Sequence, residues 1–171
     1  MKSAERKSLA LRPQHIQHSE MNYSADSDLN EYQPYVFEHG INDFTLYHAK
    51  AALDIQRDVK ALWLPLQRTL IDPARTGRNL LATDSTLFDT DNLNPEQWVK
   101  ASVYRVLSAY VLPRLGASVG GQGFLGMLVF YEKAYGKELQ SVFDDGVEYK
   151  ISGVYQKIFV MPLAARLRLI R

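Results

Sequence analysis

The sequence contains no cysteine among its 171 residues. Disulfide bridges, thiolate zinc sites and cysteine nucleophiles are therefore excluded, and the composition suits a protein made in a reducing compartment. Long apolar runs are also missing, because residues 124–131 are interrupted by Gly126 and residues 159–165 by Pro162. Neither run approaches the roughly 20 apolar residues of a membrane-spanning helix. Since the basic N-terminus also lacks the apolar stretch of a secretory signal, we expect a soluble, unexported protein with no membrane partner.

A net charge of either sign is nearly absent, since 20 basic residues stand against 19 acidic ones. This balance argues against a general electrostatic attraction to nucleic acid. The two ends of the chain nevertheless differ. Residues 1–43 carry four basic and seven acidic side chains, whereas residues 154–171 carry four basic side chains and no acidic one. The chain therefore ends in a basic, apolar segment.

Apolar residues recur at three- and four-residue steps in three stretches, which is the spacing of amphipathic helices. The first helix should begin at Asn42 or Asp43, because either side chain can accept the free N–H groups of a first turn. The second has a cap at Asn94 followed by Pro95, and it is apolar on more than one side, as a central helix would be. The third follows the glycine-rich turn at residues 120–123. The first helix is predicted to bury Phe44, Tyr47, Ala51, Ile55, Val59 and Leu62.

The predicted fold is mainly α: a three-to-four-helix bundle with a short C-terminal β-hairpin or extended tail and an extended N-terminal arm. Residues 43–146 would form the bundle, with a long loop at residues 72–94. Residues 147–171 begin with an apolar–polar alternation around Gly153, which predicts short strands before a C-terminal docking tail. Residues 1–42 show no sustained period, so we expect an arm that is ordered only where it docks. The aromatic residues of this arm suggest contact with a partner or with the chain's own core.

Signatures of catalysis, cofactor binding and metal binding are weak throughout. The glycines between residues 116 and 126 follow a helix, and Phe124 stands where a phosphate-binding loop would need a lysine. His15 and His18 have no third metal ligand at a motif-like spacing. Serine, histidine and aspartate occur without the Gly-x-Ser-x-Gly turn of hydrolases, and we interpret His48 as a helix residue beside the core stripe. We therefore predict no catalytic, cofactor-binding or metal-binding residues, and no enzymatic activity.

The C-terminal run alternates arginine with apolar residues near its end, and three explanations are open. It could add a strand to a partner's sheet, touch a membrane surface, or form a last core strand. We favour a tail that binds a partner, with the core strand as the next choice. The residues predicted to bind that partner are Val160, Met161, Leu163, Arg166, Leu167, Arg168, Leu169, Ile170 and Arg171.

Four segments together resemble the head-completion, or head-to-tail adaptor, proteins of tailed bacteriophages. The likeness covers residues 44–171. The first two helices carry it as FTLYHAKA at residues 44–51 and NPEQWVKA at residues 94–101. The third helix and the following turn are similar to that family through FYEKAYGKEL at residues 130–139 and DGVEY at residues 145–149. The ending RLRLIR at residues 166–171 also resembles the family's arginine-and-aliphatic terminus.

The resemblance implies a role in assembly at the virion neck after synthesis in the host cytoplasm. Copies of the chain would form a dodecameric ring that binds the portal protein and a downstream neck or tail protein. DNA would pass through the ring without sequence-specific binding, and the C-terminal segment would dock on the portal. The residues assigned to the ring or neck interface are Leu87, Phe88, Tyr32, Tyr35 and Phe37. The alternative is a helical cytoplasmic regulator or scaffold that binds a peptide or protein through the 72–94 loop.

Overall fold

Five α-helices and one β-hairpin make up the described structure, a computed structural model that describes residues 21–39, 43–64, 88–119 and 123–159. The α-helices are α1 (Asp26–Tyr32), α2 (Thr45–Asp58), α3 (Val99–Arg105), α4 (Leu112–Val119) and α5 (Gly123–Asp145). The strands are β1 (Val147–Ile151) and β2 (Val154–Ile158). Short 3-10 helices span Pro34–His39, Thr90–Asn92 and Pro95–Trp98, and π-helical turns span Val59–Trp63 and Val106–Val111. The prediction of a mainly α fold with a short C-terminal hairpin is confirmed.

The rod formed by α3, the second π-helical turn and α4 is the central helix of the bundle. It is preceded by the predicted cap, because Asn94 Oδ1 accepts a hydrogen bond from the N–H of Glu96 at 3.2 Å. α2 packs against its first half, and α5 packs along its whole length. Val103, Leu107 and Val111 are among its buried residues, so the broad apolar surface seen in the sequence is used on two sides.

The first helix of the bundle begins close to the predicted residue. Asp43 Oδ1 accepts a hydrogen bond from the N–H of Thr45 at 2.9 Å, and the predicted stripe is buried from Phe44 to Val59. Leu62 is the exception, because it is 55% exposed while Trp63 is fully buried. The π-helical turn that starts at Val59 accommodates one more residue than an α-helical turn, which brings the next side chain into the core.

The prediction of an extended arm is wrong for residues 21–39, which are helical, whereas the suggested contact of this segment with the chain's own core is found. These residues form α1 and a 3-10 helix, and Leu29 and Val36 are buried against Phe44 and Leu107 of the bundle. The start of α1 is stabilised by its own sequence, because the Asp28 carboxylate accepts the N–H of Ala25 at 2.8 Å. A seven-residue helix is marginal alone and depends on such packing. The rest of the predicted arm, residues 1–20 and 40–42, lies outside the described residues.

The hairpin is attached to the bundle by its first strand. β1 and β2 pair antiparallel, with Val147 opposite Ile158, and the two loop residues, Ser152 and Gly153, both have positive φ, as a tight two-residue turn requires. The N–H of Asn94 donates to the carbonyl of Glu148 at 3.0 Å, which joins β1 to the segment before the central helix. β2 lies on the outside of the hairpin, exposed along most of its length.

Candidate functional site

The predicted partner-binding residues fall into two groups. The C-terminal group, Val160, Met161, Leu163, Arg166, Leu167, Arg168, Leu169, Ile170 and Arg171, lies outside the described residues, and so does Leu87. The remaining four, Phe88, Phe37, Tyr32 and Tyr35, are described and occupy different environments. Of these four, Phe88 is buried, Phe37 is half-buried, and Tyr32 and Tyr35 are exposed.

The prediction that Phe88 belongs to the ring or neck interface is wrong. Its ring is buried between Trp63, at 5.9 Å between ring centroids, and Tyr149, at 5.2 Å. It joins the end of the first helix to the hairpin, so it belongs to the core. Phe37 is half-buried and packs edge-to-face on Phe44 at 5.1 Å. Burial of such rings removes most of their apolar area from any partner.

Tyr32 and Tyr35 remain on the surface. Tyr35 is 63% exposed. Tyr32 keeps one edge exposed while its ring packs edge-on against Tyr104 at 5.7 Å. Glu31 precedes Tyr32 in the sequence and Glu38 follows Tyr35, and both glutamates are exposed. We call these four residues, Glu31, Tyr32, Tyr35 and Glu38, the N-terminal face.

A buried chain of polar side chains joins the N-terminal segment to α2 and the central helix. Ser24 Oγ lies 2.7 Å from His48 Nδ1 and 2.7 Å from Ser102 Oγ. His48 Nε2 lies 3.0 Å from Asp26 Oδ1. A carboxylate accepts hydrogen bonds, so Nε2 carries the proton, Nδ1 accepts from Ser24, and Ser24 accepts from Ser102. Burial lowers the pKa of His48, and the hydrogen bond from His48 to Asp26 offsets only part of that effect. The imidazole is therefore neutral at pH 7.

An open cleft of about 590 Å³ lies beside this polar chain. Its lining comprises Asn22, Tyr23, Ser24, Ala25, Asp26, Ser27, Asp28, Thr45 and His48. The combination of serine, histidine and aspartate is that of a hydrolase triad, but such a serine must reach a substrate carbonyl. Here Ser24 is buried and its hydroxyl is held between His48 and Ser102. The hydrogen bonds therefore support an anchoring role, in which Asp26 also accepts the N–H of Phe44 at 3.3 Å.

The sequence analysis missed this polar chain. It placed His48 beside the core stripe, where the structure finds it, but it assigned Ser24 and Asp26 to an arm. The signal that could have revealed them is local: Asp26 and Asp28 are the acidic residues that favour the first turn of a helix, and Asp28 can accept the N–H of Ala25. A helix predicted to start at Asp26 would have placed Ser24, two residues earlier, at the end of the bundle element rather than in an arm.

A second polar network holds the three long rods of the bundle together. Asp54 Oδ2 accepts from Arg105 Nε at 2.7 Å and from the Tyr110 hydroxyl at 2.8 Å. Burial alone would raise the pKa of Asp54, but the hydrogen bonds from Tyr110 and Arg105 lower it below its usual value. The hydroxyl of Tyr135 of α5 donates to Asp58 Oδ2 at 2.6 Å, and burial raises the pKa of Tyr135. Both acids of α2 thus point into the bundle.

The outward side of α2 has the opposite character. Leu46 and Leu53 are 64% and 65% exposed, and Lys50, Arg57 and Lys60 are exposed beside them. These five residues recur at the three- and four-residue steps that place side chains on one side of a helix. We call them the α2 face. It is a basic stripe with exposed leucines.

Two further groups of large apolar side chains are exposed. The α5 face consists of Leu125, Val129 and Phe130, near the start of α5. The exposed apolar residues of the hairpin and its end, which we call the hairpin face, are Ile151, Val154, Tyr155 and Phe159. Ile151 and Val154 are paired on one side of the two strands, and Tyr155 lies on the other side. Single exposed apolar residues are common on monomeric proteins, whereas groups of them mark sites of protein contact. The described chain therefore carries four separate candidate contact surfaces.

Searches for other kinds of site gave no positive result. Within residues 21–39, 43–64, 88–119 and 123–159, no three His, Asp or Glu side chains are grouped so that they could hold a metal ion. None of the described helices combines the length and apolarity needed to cross a membrane. Comparison with known protein families, curated proteins and solved structures finds no match to this chain.

Proposed function

We propose that the protein is a structural subunit of a virus particle, an adaptor ring between the portal and the downstream neck or tail proteins. The ring would extend the channel through which DNA passes. It would act by assembly rather than by catalysis. The resemblance of residues 44–171 to phage head-completion proteins motivates this proposal, and the arrangement of exposed surfaces supports it.

The observation that carries the proposal is the number of separate contact surfaces. A subunit of a closed ring meets two neighbours through two different patches, and an adaptor needs at least one more patch for the protein above or below. The N-terminal face, the α2 face, the α5 face and the hairpin face provide four. A regulator that binds one partner would need a single patch, so the multiplicity favours the ring.

The alternative, a scaffold that binds peptides through the 72–94 loop, gains no support from the described end of that loop. Phe88 and Leu93 are buried in the core. The hydroxyl of Tyr149 accepts the N–H of Asp89 at 3.0 Å. These residues are held in the core and against the hairpin.

The direct test is the mass of the protein in solution, measured by light scattering alone and with purified portal protein. We expect an oligomer that forms spontaneously or on the portal. Removal of residues 160–171 should abolish portal binding and leave the far-ultraviolet circular dichroism of the bundle unchanged. A chain that stays monomeric both alone and with portal would overturn the proposal.

The hairpin face offers a second test of the axial contact. Val154→Ser together with Tyr155→Ser should weaken binding of a portal or neck protein, because both side chains are exposed and their loss removes apolar contact area. The matched control is Ser141→Ala on the exposed side of α5, which should change neither binding nor folding. Normal binding by the hairpin variant would remove the hairpin from the axial interface.

A further inference from the structure

We propose that neighbouring copies in the ring meet through the α2 face of one chain and the N-terminal face of the next. This inference rests on the proposed function, because it names the contact that would build the ring. The two faces carry opposite charges and exposed apolar side chains. The partner is therefore a second copy of this chain.

The α2 face is positive because the acids of its helix are turned inward. Asp54 is engaged by Arg105 and Tyr110, and Asp58 accepts from Tyr135. Lys50 and Lys60 have no ion-pair partner among the described residues. Arg57 of the same stripe is paired with Asp54 at 2.9 Å and lies 3.8 Å from Asp58. The uncompensated cations of the stripe are therefore Lys50 and Lys60, which lie beside two leucines that are mostly exposed.

The N-terminal face has the complementary character. Residues 21–39 contain four carboxylates and no lysine or arginine. Asp26 and Asp28 are used within the fold, in hydrogen bonds to the start of α2 and to the start of α1. Glu31 and Glu38 are exposed and form no ion pair with any described residue. The face thus combines two uncompensated carboxylates with two exposed tyrosines.

The two faces fit each other better than either fits itself. A face-to-itself contact would bring like charges together, which disfavours association. Contact between the two different faces pairs lysine with glutamate and leucine with tyrosine. Because the faces lie on different elements, this contact is heterologous, which is the kind that generates rings.

The α5 face is a poorer match for the α2 face. The exposed charges near its apolar residues are Glu132, Lys133 and Lys137, which sum to a positive charge. Two positive surfaces would repel each other. The α5 face is therefore not part of the proposed lateral contact, and the lysines beside it supply the control for the test of that contact.

The test is charge reversal followed by complementation. A basic-side variant, Lys50→Glu with Lys60→Glu, and an acidic-side variant, Glu31→Lys with Glu38→Lys, should each associate at least about tenfold more weakly than the wild type. An equimolar mixture of the two should recover the oligomer, because each reversed face then meets an oppositely reversed face. A single chain with all four changes should also recover it. Mass is measured by light scattering at low salt, with and without portal protein, after circular dichroism confirms helicity.

The control is Lys133→Glu with Lys137→Glu, which makes the same change of charge on α5 and should leave the oligomer intact. If the control dissociates the oligomer, or if the mixture stays dissociated, the lateral contact proposed here is wrong although the ring itself stands. If both charge variants associated as tightly as the wild type, the proposed lateral contact would also be wrong. A wild-type chain that is monomeric alone and with portal would instead overturn the proposed function. If a charge reversal impairs folding, neutral variants with Gln in place of each Lys or Glu provide a milder series. The neutral variants of the two lateral faces should weaken association, and the neutral variant of the α5 control should not.

Discussion

The guanidinium of Arg105 reaches from the central helix to the carboxylate of Asp54 on α2, with Nε 2.7 Å from Oδ2. The same arginine lies over the ring of Tyr135 on α5, with its Cζ 5.3 Å from the ring centroid. One side chain thus contacts both helices that flank its own.

Replacement of Arg105 by alanine should therefore destabilise the protein. Breaking a fully buried ion pair costs about 3–5 kcal/mol because a charge is left without a partner. The side chain of Arg105 is 25% exposed, so we expect a loss of about 2 kcal/mol in the free energy of unfolding. Urea titration followed by circular dichroism measures it.

Arg57→Ala is the matched control for that variant. Arg57 Nη2 lies 2.9 Å from Asp54 Oδ1, but the Arg57 side chain is 65% exposed. Exposed ion pairs contribute about 0–1 kcal/mol, so the loss should stay below about 1 kcal/mol. Equal losses in the free energy of unfolding for the two variants would show that the ion pair between helices contributes no more than the exposed pair within α2.

The buried imidazole of His48 should make stability depend on pH. Burial lowers its pKa in the folded chain, whereas in the unfolded chain the pKa is about 6.5. The unfolded state therefore binds the proton first, and the contribution of neutral His48 is present above about pH 6.5 and is lost as the pH falls below it. We expect the free energy of unfolding to decrease between pH 7.5 and pH 5.

The variant His48→Gln separates this effect from the titration of carboxylates. It removes the titrating group, so its stability should decline less steeply over the same pH interval. An isotope-labelled histidine spectrum gives an independent reading of the pKa. Stability that rose on acidification would mean that a charged imidazole pairs with Asp26, contrary to the hydrogen-bond directions assigned above.

Gly146 ends α5 in a conformation that suits glycine. Its φ is +91°, and a Cβ atom there would lie 2.9 Å from the ring of Phe159. Gly146→Ala should lower the free energy of unfolding by about 1–2 kcal/mol, because other residues are strained in this region. Gly136→Ala is the control: it lies within α5, its Cβ would meet nothing within 4 Å, and it should stabilise by about 0.5–1 kcal/mol. Thermal unfolding of both variants tests the contrast.

The helices of the bundle could be predicted because their signals are local. Asp43 and Asn94 are side-chain caps, and the stripe from Phe44 to Val59 spans four turns of a regular helix. The hairpin could be predicted equally well, because the apolar–polar alternation and the turn at Gly153 both lie within a few consecutive residues. Each of these features is decided by neighbours in the sequence.

The N-terminal segment could not be predicted in the same way. α1 has only seven residues, too few for a period to stand out, and its buried residue Leu29 depends on a groove formed by distant parts of the chain. The polar chain from Ser24 to Ser102 joins residues 78 positions apart. The candidate faces also depend on tertiary structure, because the charge of the α2 face depends on which acidic side chains point into the bundle.

The π-helical turn that starts at Val59 overrides the regular apolar stripe, because it places Trp63 rather than Leu62 in the core. Trp63→Ala should cost about 3–5 kcal/mol, because a fully buried indole is removed from the core. Leu62→Ala should stay within about 0.5 kcal/mol, since the side chain is exposed. Deletion of Ala61 supplies a sharper test. It would turn the π-helical turn into an α-helical one and move the tryptophan to the position that the regular stripe assigns to the core. We therefore expect the deletion variant to unfold at a higher urea concentration than Trp63→Ala, and the reverse order would contradict this account of the turn.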